Sequence, residues 1–545
     1  MTRFITLLCG LLALPVLGVL VSWLALDADS WANLQHQIDT VLPHYALNSL
    51  LLSALVAIGV TVLGAGAAAM VCLLEFPGRR LFEWALLLPL AMPAYVLAYA
   101  ATDFLQFSGP LQTSLRELTG AQGALWPDVR SLWGAAVMFI LCLYPYVYLL
   151  TRAALSERGV ALMEAARLLG AGAWRRVREV ALPLARPAIM AGVALALMET
   201  LADYGVGSYF GLQTFTTGIY KAWLVMNDRD AAAQLASVLL VVVALLLWLE
   251  HRAQRRLRFA TQRSQTAAGQ GNSLDSQPVV LHGAGACFAI FLCALPVVLG
   301  FVLPVAVLLR LVWLEAHAAE LGLPWDRFVS WAWTSFTLAA TAAVLATSLA
   351  LCLSFLQRAE GSTHRTWISG LPLRWAARVV GLGYAIPGAV IAVGILWAVG
   401  WLQSHWPQLG ASALVTGTLF GVMYAYLVRF GAVAQQSVEA GYARLSPSLD
   451  ETARMLGCSR PRLFWAIHLP LLKRASLSAA LLVFVDVMKE LPATLVLRPF
   501  NSDTLAVVAY QLARDERLAE AALPSLAIVA VGLLPVILLS RSLRA

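Results

Sequence analysis

Lysine is scarce in this sequence, whose 545 residues contain only Lys221, Lys473 and Lys489. None of the three follows a glycine, which excludes the Gly-Lys-Ser/Thr end of an ATP-binding P-loop. If the protein works with ATP, another polypeptide must bind the nucleotide. Charged residues are also few, at 12% of the chain, against about 25% in soluble domains. With 60% hydrophobic residues, this composition predicts an integral membrane protein in contact with the lipid bilayer.

Motifs for metal binding and disulfide bonding are missing as well. The seven cysteines are scattered, and the sequence contains neither a C-x-x-C motif nor the Cys/His spacing of a zinc site. We interpret the cysteines as small core residues and predict no metal site, no disulfide framework and no cofactor in this chain.

Twelve apolar segments have about the ~20 residues needed to cross a bilayer. They lie at residues 4–26, 46–74, 82–105, 131–153, 187–210, 232–250, 280–313, 331–356, 376–401, 411–434, 476–495 and 522–540. The first is longer than the core of ~7–15 residues in a cleaved signal peptide, so we expect an uncleaved membrane helix. The predicted fold is an all-α membrane protein with twelve transmembrane helices.

Arginine is distributed unevenly between alternate loops. With the N-terminus in the cytoplasm, the FPGRR turn at 76–80, the RAQRRLR stretch at 252–258 and the C-terminal RSLRA all lie on the cytoplasmic side. The loops on the other side are acidic, with Asp29, Asp39 and their counterparts in later loops. Cytoplasmic N- and C-termini therefore satisfy the positive-inside rule.

The second half of the chain repeats the first. EAARLLGAGAWRRVREVALP at 164–183 and ETARMLGCSRPRLFWAIHLP at 451–470 align at a constant offset of 287 residues. Asn48-Ser49 also matches Thr334-Ser335, and Pro93 matches Pro387. The shared loop positions are Glu164, Ala165, Ala166, Gly170, Leu182 and Pro183 in the first copy and Glu451, Ala453, Gly457, Leu469 and Pro470 in the second. We expect two homologous six-helix bundles fused head to tail.

This repeat predicts five regions. Residues 1–45 hold the first membrane helix and an outer loop, and 46–250 hold the first repeated domain. Residues 251–279, basic and then rich in Gly, Ser and Gln, are a cytoplasmic linker. Residues 280–330 hold the seventh helix and its outer loop, and 331–545 hold the second repeated domain.

The repeated loop has the pattern of two short helices joined at glycine. We expect a helix from about Leu162 to Leu169, ended by Gly170 and Gly172, and a second from Trp174 to Ala181 until Pro183 interrupts it. Pro187 suits the first turn of the next membrane helix. Such a pair makes a compact knob that can seat in a groove. The alternative is a basic loop that lies on anionic headgroups.

The paired loops resemble the EAA loop of type I ABC importer permeases. This resemblance implies the type I permease fold, a bacterial inner membrane location and docking of a cytoplasmic ABC ATPase dimer on both loops. It also implies a periplasmic substrate-binding protein as the second partner, while ATP and magnesium bind to the ATPase. We expect no nucleic-acid partner and no catalytic residues in this chain.

Four acidic residues interrupt the fifth and eleventh spans. Glu199 and Asp203 in the fifth correspond to Asp486 and Glu490 in the eleventh at the same offset of 287 residues. Each pair is spaced i, i+4 on one helix face. Ionisable groups in a membrane span usually face a water-filled path or pair with another charge. We expect the four to line a translocation path. The alternative is that Asp203 and Glu490 lie at the outer interface while Lys489 pairs with Asp486 or Glu490.

Residues 198–223 and 483–512 resemble the matching segments of fused ferric-iron permeases, and the resemblance covers nearly the whole chain. It implies import of Fe(III) from a periplasmic binding protein by alternating access. The fused thiamine permeases have a similar pattern, so thiamine or another small solute stays open as the substrate.

Two other classes of function remain as alternatives. An ion-coupled secondary transporter would use the membrane acids as proton relays and need no ATPase, which leaves the paired loops unexplained. A membrane enzyme is disfavoured because the eight histidines are dispersed and no nucleophile motif is present.

Overall fold

The computed structural model describes residues 2–25, 28–267, 279–318, 323–361 and 371–542, and these are overwhelmingly helical. The helices of the first half are α1 (Thr2–Leu12), α2 (Leu14–Val21), α3 (Ala28–Thr40), α4 (Leu42–Leu73), α5 (Arg79–Ala85), α6 (Ala94–Leu105), α7 (Pro110–Thr119), α8 (Leu132–Leu168), α9 (Ala173–Arg176), α10 (Leu182–Ala202), α11 (Gly205–Tyr209), α12 (Phe215–Tyr220) and α13 (Arg229–Ala267). The predicted all-α class is confirmed at this level.

The helices of the second half are α14 (Ala284–Val297), α15 (Leu303–Ala318), α16 (Trp325–Gly361), α17 (Leu371–Leu382), α18 (Gly388–His405), α19 (Ala411–Thr416), α20 (Phe420–Tyr442), α21 (Pro447–Met455), α22 (Arg460–Arg462), α23 (Leu469–Leu471), α24 (Lys473–Met488), α25 (Pro492–Leu497), α26 (Leu505–Arg514) and α27 (Leu518–Ser542). Single 3₁₀ turns occupy Ser22–Ala25, Leu88–Ala91, Gly383–Ala385 and Pro407–Leu409, and π-helical turns occupy Val177–Ala181, Lys221–Val225, Val298–Val302 and Leu463–His468. Strand β1 (Leu74–Glu75) pairs in parallel with β2 (Val279–Val280).

Eight helices in the described residues are long and apolar enough to cross a membrane, and two bent helix pairs raise the number to ten if each pair is one span. The predicted number of twelve is therefore not confirmed. The first and eleventh predicted spans fall short because the chain breaks within them. Leu14–Leu24 is a short apolar helix, and α24 ends at Met488 after 16 residues.

The predicted linker also differs in form from what its composition suggests. Helix α13 continues from the sixth span through the basic stretch to Ala267, so the first part of the linker is helical. Residues 268–278 lie outside the described residues. The chain then forms β2, which pairs with β1 at the end of α4.

The chain forms two compact units that do not coincide with its two halves. The first consists of Met1–His36, Gly218–Leu240 and Pro324–Val508, and the second consists of Gln37–Thr217, Val241–Leu323 and Ala509–Ala545. Each unit contains segments from both halves of the sequence. The five predicted regions follow the sequence repeat, and their bounds stay a prediction.

Equivalent helices form the core of each unit. In the second unit, α4, α8 and α10 pack on one another, and in the first unit α16, α20 and α24 do the same. Close contact between α8 and α10 depends on Gly192, where an added Cβ would lie 2.7 Å from the Cα of Val147. The repeat seen in the sequence is thus a repeat of a three-helix core.

The first and seventh predicted spans are integral parts of these units. In the first unit, α2 packs on α18. A Cβ added to Gly394 would lie only 2.0 Å from the carbonyl oxygen of Pro15, so this crossing requires glycine. In the second unit, α15 packs on α6 and α27. These helices therefore pack into the two units although they lie outside the sequence repeat.

Candidate functional site

Each of the paired loops turns at its predicted glycine. Gly170 has φ +82° and Gly457 has φ +78°, which is the left-handed region that glycine adopts without steric cost. The following amide closes each turn in the same way: the N–H of Ala171 donates to the Ala166 carbonyl and that of Cys458 to the Ala453 carbonyl, both at 3.0 Å. The predicted turn is confirmed in both copies.

The helix before the first turn begins much earlier than predicted. It is the end of α8, which runs without interruption from Leu132 to Leu168, whereas the second loop has a separate helix, α21. The prediction of a short helix starting near Leu162 was therefore wrong. One loop continues a membrane helix directly, and the other is connected to α20 by a turn.

Pro183 does not interrupt the second helix of the loop, contrary to the sequence prediction. A π-helical turn at Val177–Ala181 leads directly into α10, and the equivalent turn at Leu463–His468 leads into α23. Proline lacks an N–H, and in an α-helix its ring would clash with the carbonyl four residues earlier. The wider π turn accommodates Pro183 and Pro470, so the chain continues as a helix. Pro187 lies inside α10.

The tip of each loop exposes two large apolar side chains. Leu168 and Leu169 are 90% and 87% exposed, and their equivalents Met455 and Leu456 are 88% and 82% exposed. Glu451 and Gly457 beside them are also exposed, while Ala453 is buried and Ala166 half-buried. The side chains of Glu164 and Ala165 lie outside the part of the chain whose side chains are described. The sequence reading missed these tip residues, although the 287-residue offset contains them.

The Leu-Pro end of each loop lies close to the helical core. Leu182 and Pro470 are exposed, and Pro183 and Leu469 are half-buried. In the first loop, Ala181 and Ala185 pack with Leu155 in a buried apolar cluster. The first loop is therefore joined to its unit by apolar contacts.

The second loop is joined to its unit by a buried charged network. Arg358 at the end of α16 donates to the Asp450 carboxylate with its Nε 2.7 Å from Oδ2. His468 Nε2 lies 2.9 Å from the other carboxylate oxygen, and its Nδ1 lies 3.3 Å from the Tyr442 hydroxyl. His468 therefore bridges Asp450 and Tyr442 through its two ring nitrogens.

Arg358 also orders the turn that leads into α21. Its guanidinium donates to three backbone carbonyls, those of Tyr442 at 3.2 Å, Leu445 at 3.1 Å and Ser446 at 2.8 Å. Burial by itself raises the pKa of the Asp450 carboxyl, but hydrogen bonds from Arg358 and His468 outweigh it and leave the pKa below the ordinary value. The residues equivalent to Asp450 and His468 in the first loop are Met163 and Ala181. This network is specific to the second loop and was not predicted.

The four acids of the fifth and eleventh spans are placed as two pairs, one in each unit. Glu199 lies on α10 and Asp486 on α24, and both are half-buried. Lys489 Nζ is 2.9 Å from the Asp486 carboxylate, which is the i, i+3 pair that the sequence offered as an alternative. Asp203 and Glu490 lie just beyond the ends of α10 and α24. That the four line one path stays a prediction.

Asp203 and Glu490 share a structural task. Asp203 accepts from the N–H of Val206 at 2.8 Å, where α11 begins. Glu490 accepts from the N–H groups of Ala493 at 2.9 Å and Thr494 at 3.0 Å, where α25 begins. Each carboxylate thus satisfies the free amides of a short helix that follows its span.

Glu490 has an additional partner that sequence reasoning missed. Arg429 on α20 donates to its carboxylate at 3.1 Å, and both side chains are buried. The two polar groups face Gly388, where a Cβ would lie 2.8 Å from each of them. In the first half, the residue equivalent to Arg429 is Cys142. Of the equivalent acids Asp203 and Glu490, only Glu490 therefore has an arginine at this helix position.

The repeated serines confirm the match between the halves. The hydroxyl of Ser49 accepts from the N–H of Phe215 at 3.2 Å, and that of Ser335 accepts from the N–H of Leu505 at 2.8 Å. Each bond lies within one unit and fixes the start of the helix that follows the acidic segment, α12 in one case and α26 in the other.

Residues 61–259 and 366–545, more than half of the chain, match the family described as "Binding-protein-dependent transport system inner membrane component". The chain is 26% identical to the Fe(3+)-transport system permease protein FbpB 2 of Haemophilus influenzae, over 91% of this chain and 89% of that protein. It is 24% identical to the ferric transport system permease protein FbpB of Actinobacillus pleuropneumoniae, over 86% of this chain and 66% of that protein.

A third relative has another substrate in its name. The chain is 31% identical to the sulfate transport system permease protein CysT of Escherichia coli, over 46% of this chain and 88% of that protein. That alignment spans about half of the chain, as expected where one half of a fused repeat matches a single permease.

Proposed function

Because the chain belongs to the family of binding-protein-dependent transport system inner membrane components, we propose that it is the permease subunit of an ATP-driven importer of ferric iron. In this proposal a periplasmic binding protein delivers the iron, and an ABC ATPase dimer on the cytoplasmic side drives alternating access. ATP and magnesium bind to the ATPase, and this chain catalyses no reaction.

The observation that carries docking of an ATPase is the exposed apolar pair at each loop tip. A soluble loop gains nothing from leaving Leu168, Leu169, Met455 and Leu456 in water, and large exposed apolar patches mark interaction sites. The same two positions are exposed in both copies, and in each copy they come directly before the glycine of the turn. A dimeric partner with one groove per subunit fits two equivalent tips.

Two observations favour ferric iron over the other solutes. One is the length of the alignments with ferric permeases, and the other is the acidic residues of the fifth and eleventh spans. Two relatives that align over most of this chain are named as ferric permeases. Hard cations prefer carboxylate and other oxygen ligands, which the acids of the fifth and eleventh spans supply.

The docking proposal is tested by charge at the loop tips. Leu169→Asp and Leu456→Asp together should abolish co-purification of the co-expressed ATPase, because each places a carboxylate in an apolar groove. Both residues are exposed, so membrane abundance should stay normal. Leu118→Asp on α7, at a leucine 83% exposed, is the matched control. ATPase recovery at the wild-type level from the double variant would contradict docking through the tips.

The substrate proposal is tested by uptake in cells that lack their own ferric permeases. Cells with the permease, its ATPase and its binding protein should accumulate radiolabelled ferric iron but not thiamine, sulfate or molybdate. Uptake of thiamine instead would contradict the proposed substrate but not the proposed type of importer. Iron uptake that persists without the ATPase under an intact proton gradient would favour an ion-coupled transporter.

A further inference from the structure

The helix that leads into the second loop is broken, whereas the helix that leads into the first loop is continuous. Helix α8 runs from Leu132 to Leu168. Helix α20 ends at Tyr442, and α21 begins at Pro447. A movement imposed on the tip of the first loop therefore passes along one helix. In the second loop, the residues of the break would absorb the same movement unless other contacts brace them.

Arg358 at the end of α16 makes contacts on both sides of this break. Its guanidinium donates to the carbonyls of Tyr442, Leu445 and Ser446, at 2.8 to 3.2 Å, where α20 ends and the chain turns. It also donates to the Asp450 carboxylate on α21, with Nε 2.7 Å from Oδ2. A guanidinium carries five N–H donors in a fixed planar arrangement, so this one side chain holds both helices at once.

The contacts of Arg358 are continued by His468 at the other end of the loop. The Arg358–Asp450 pair is shielded from water, with side chains 17% and 4% exposed. His468 lies 2.9 Å from the same carboxylate. Its ring packs edge-on against Phe355 of α16 and Tyr442 of α20, with centroids 5.4 and 5.5 Å apart. The second loop is thus joined to α16 and α20 at both of its ends.

The first loop has an apolar cluster at the equivalent positions. Cys72, at the end of α4, packs against the cluster of Leu155, Ala181 and Ala185. At the offsets of 286 and 287 residues that relate the repeats, Cys72, Leu155 and Ala181 correspond in this order to Arg358, Tyr442 and His468. The second half therefore has an arginine and its hydrogen bonds where the first half has apolar packing, and it has them at the place where its helix is broken.

We propose that Arg358 is a positioning residue that transmits the movement of the ATPase from the second loop to α16 and α20. This inference rests on the proposed docking of an ATPase on the loop tips, and it names the side chain that couples one tip to the core of its unit. With the break braced, α21 moves together with the ends of α16 and α20. Without Arg358, α21 follows the ATPase while the two longer helices stay in place.

The double variant Arg358→Met, Asp450→Asn separates this role from a general loss of stability. It removes the brace and leaves neither charge of the buried pair behind, so membrane abundance should stay normal. The ATPase should still co-purify, because the exposed residues of the loop tip are unchanged. In liposomes that contain the complex and its loaded binding protein, the uptake of ferric iron per ATP hydrolysed should lose most of its wild-type value.

Arg358→Lys tests the shape of the guanidinium rather than its charge. Lysine keeps the positive charge near Asp450, but its three donors lie on one nitrogen and do not match the planar fork of arginine. Uptake per ATP hydrolysed should therefore fall in this variant as well. Full rescue by lysine would show that charge alone suffices and would overturn the bracing of the break.

A second readout is independent of the transported solute. In complexes without the seven native cysteines of this chain, spin labels at Gln436 on α20 and Thr452 on α21, both exposed, report the distance across the break. Addition of ATP and vanadate to the complex should leave this distance unchanged when Arg358 is present. The same addition should change the distance in the Arg358→Met, Asp450→Asn variant. A distance that responds equally in both proteins would overturn the inference.

Cys72→Ala is the matched control, because it alters the equivalent position in the first half, where α8 continues into the loop without a break. It should keep the wild-type uptake per ATP hydrolysed. Wild-type coupling in the double variant would overturn this inference and leave the proposed function standing. Loss of the ATPase from the double variant at normal abundance would also overturn it, because Arg358 would then act in docking itself.

The wild-type complex distinguishes failure of the proposed function from failure of this inference. If it hydrolyses ATP but takes up no ferric iron, the proposed substrate is wrong, and the distance across the break decides the role of Arg358. If the wild-type chain binds no ATPase, the proposed function and this inference are overturned together.

Discussion

Glu490 is held at both of its carboxylate oxygens by groups of the protein. Arg429 donates to Oε1 at 3.1 Å, Ala493 N–H donates to the same atom at 2.9 Å, and Thr494 N–H and its hydroxyl donate to Oε2. These contacts hold the carboxylate in one position. Its contacts are those of a structural ion pair, and its part in a translocation path stays a prediction.

Glu490→Gln should therefore destabilise the protein before it affects transport. The substitution removes the carboxylate that pairs with the buried Arg429, and breaking a buried pair costs about 3–5 kcal/mol. We expect a clear loss of membrane abundance and of thermal stability in detergent. Glu199→Gln, at a half-buried acid of the equivalent span, is the control and should keep normal abundance.

The double variant Arg429→Met, Glu490→Gln completes this test. Replacing a buried ion pair by neutral groups of similar volume is often nearly neutral, so the double variant should recover much of the stability that the single variant loses. A stable and abundant Glu490→Gln single variant would contradict the structural assignment.

At the scale of elements, the two loops have equivalent turns but are joined to their units by different contacts. The turns at Gly170 and Gly457 and the π-helical turns before the Leu-Pro pairs are equivalent. The first loop extends α8 and packs through Ala181, whereas the second is a separate α21 fixed by Arg358 and Asp450. Local sequence therefore sets the shape of each loop, and the attachment of the second loop depends on charge.

This attachment predicts a pH dependence that belongs to the second loop. The lowered pKa of Asp450 means that its stabilising contribution is fully present above the ordinary value of 3.8 and is lost as the pH falls through the lowered value. Hydrogen exchange of the amides in residues 447–470 should rise in purified permease below about pH 4.

Asp450→Asn should show the same loosening at neutral pH. We expect exchange in 447–470 to rise about tenfold relative to the wild-type protein, because Arg358 and His468 lose their shared carboxylate. The first loop serves as the internal control, since it has Met163 and Ala181 in place of Asp450 and His468. Equal changes in both loops would show that the charged network does not fix the second one.

At the scale of the whole molecule, helices long enough to span the membrane are arranged around two equivalent three-helix cores. Helices α4, α8 and α10 form one, and α16, α20 and α24 form the other. The unit that contains each core also includes segments from the other half of the sequence. The location of the chain in an inner membrane follows from the family. The cytoplasmic side of its N- and C-termini is a prediction from the positions of arginine.

That direction is tested by labelling two leucines of equal exposure. In a variant without the seven native cysteines, Leu118→Cys on the predicted outer side should react with an impermeant maleimide added to intact cells. Leu169→Cys at the predicted cytoplasmic loop tip should react only after the membrane is opened. The two side chains are 83% and 87% exposed, so burial does not explain a difference. The reverse pattern would invert the predicted topology.

The sequence by itself determined the membrane class, the repeat and the glycine turns, and it offered the Asp486–Lys489 pair as an alternative. Each depends on composition or on residues close together in the chain: hydropathy over ~20 residues, a constant offset, a positive φ that only glycine adopts freely, or an i, i+3 spacing. These features need no knowledge of distant contacts.

The tertiary structure alone decided which charges are paired across the fold. Arg358 lies 92 residues from Asp450, and Arg429 lies 61 residues from Glu490, so no local pattern links them. It also decided where helices break, since π-helical turns accommodate Pro183 and Pro470, and how segments of both halves combine into each unit. Packing in three dimensions brings these groups together, and only there does a buried charge find its partner.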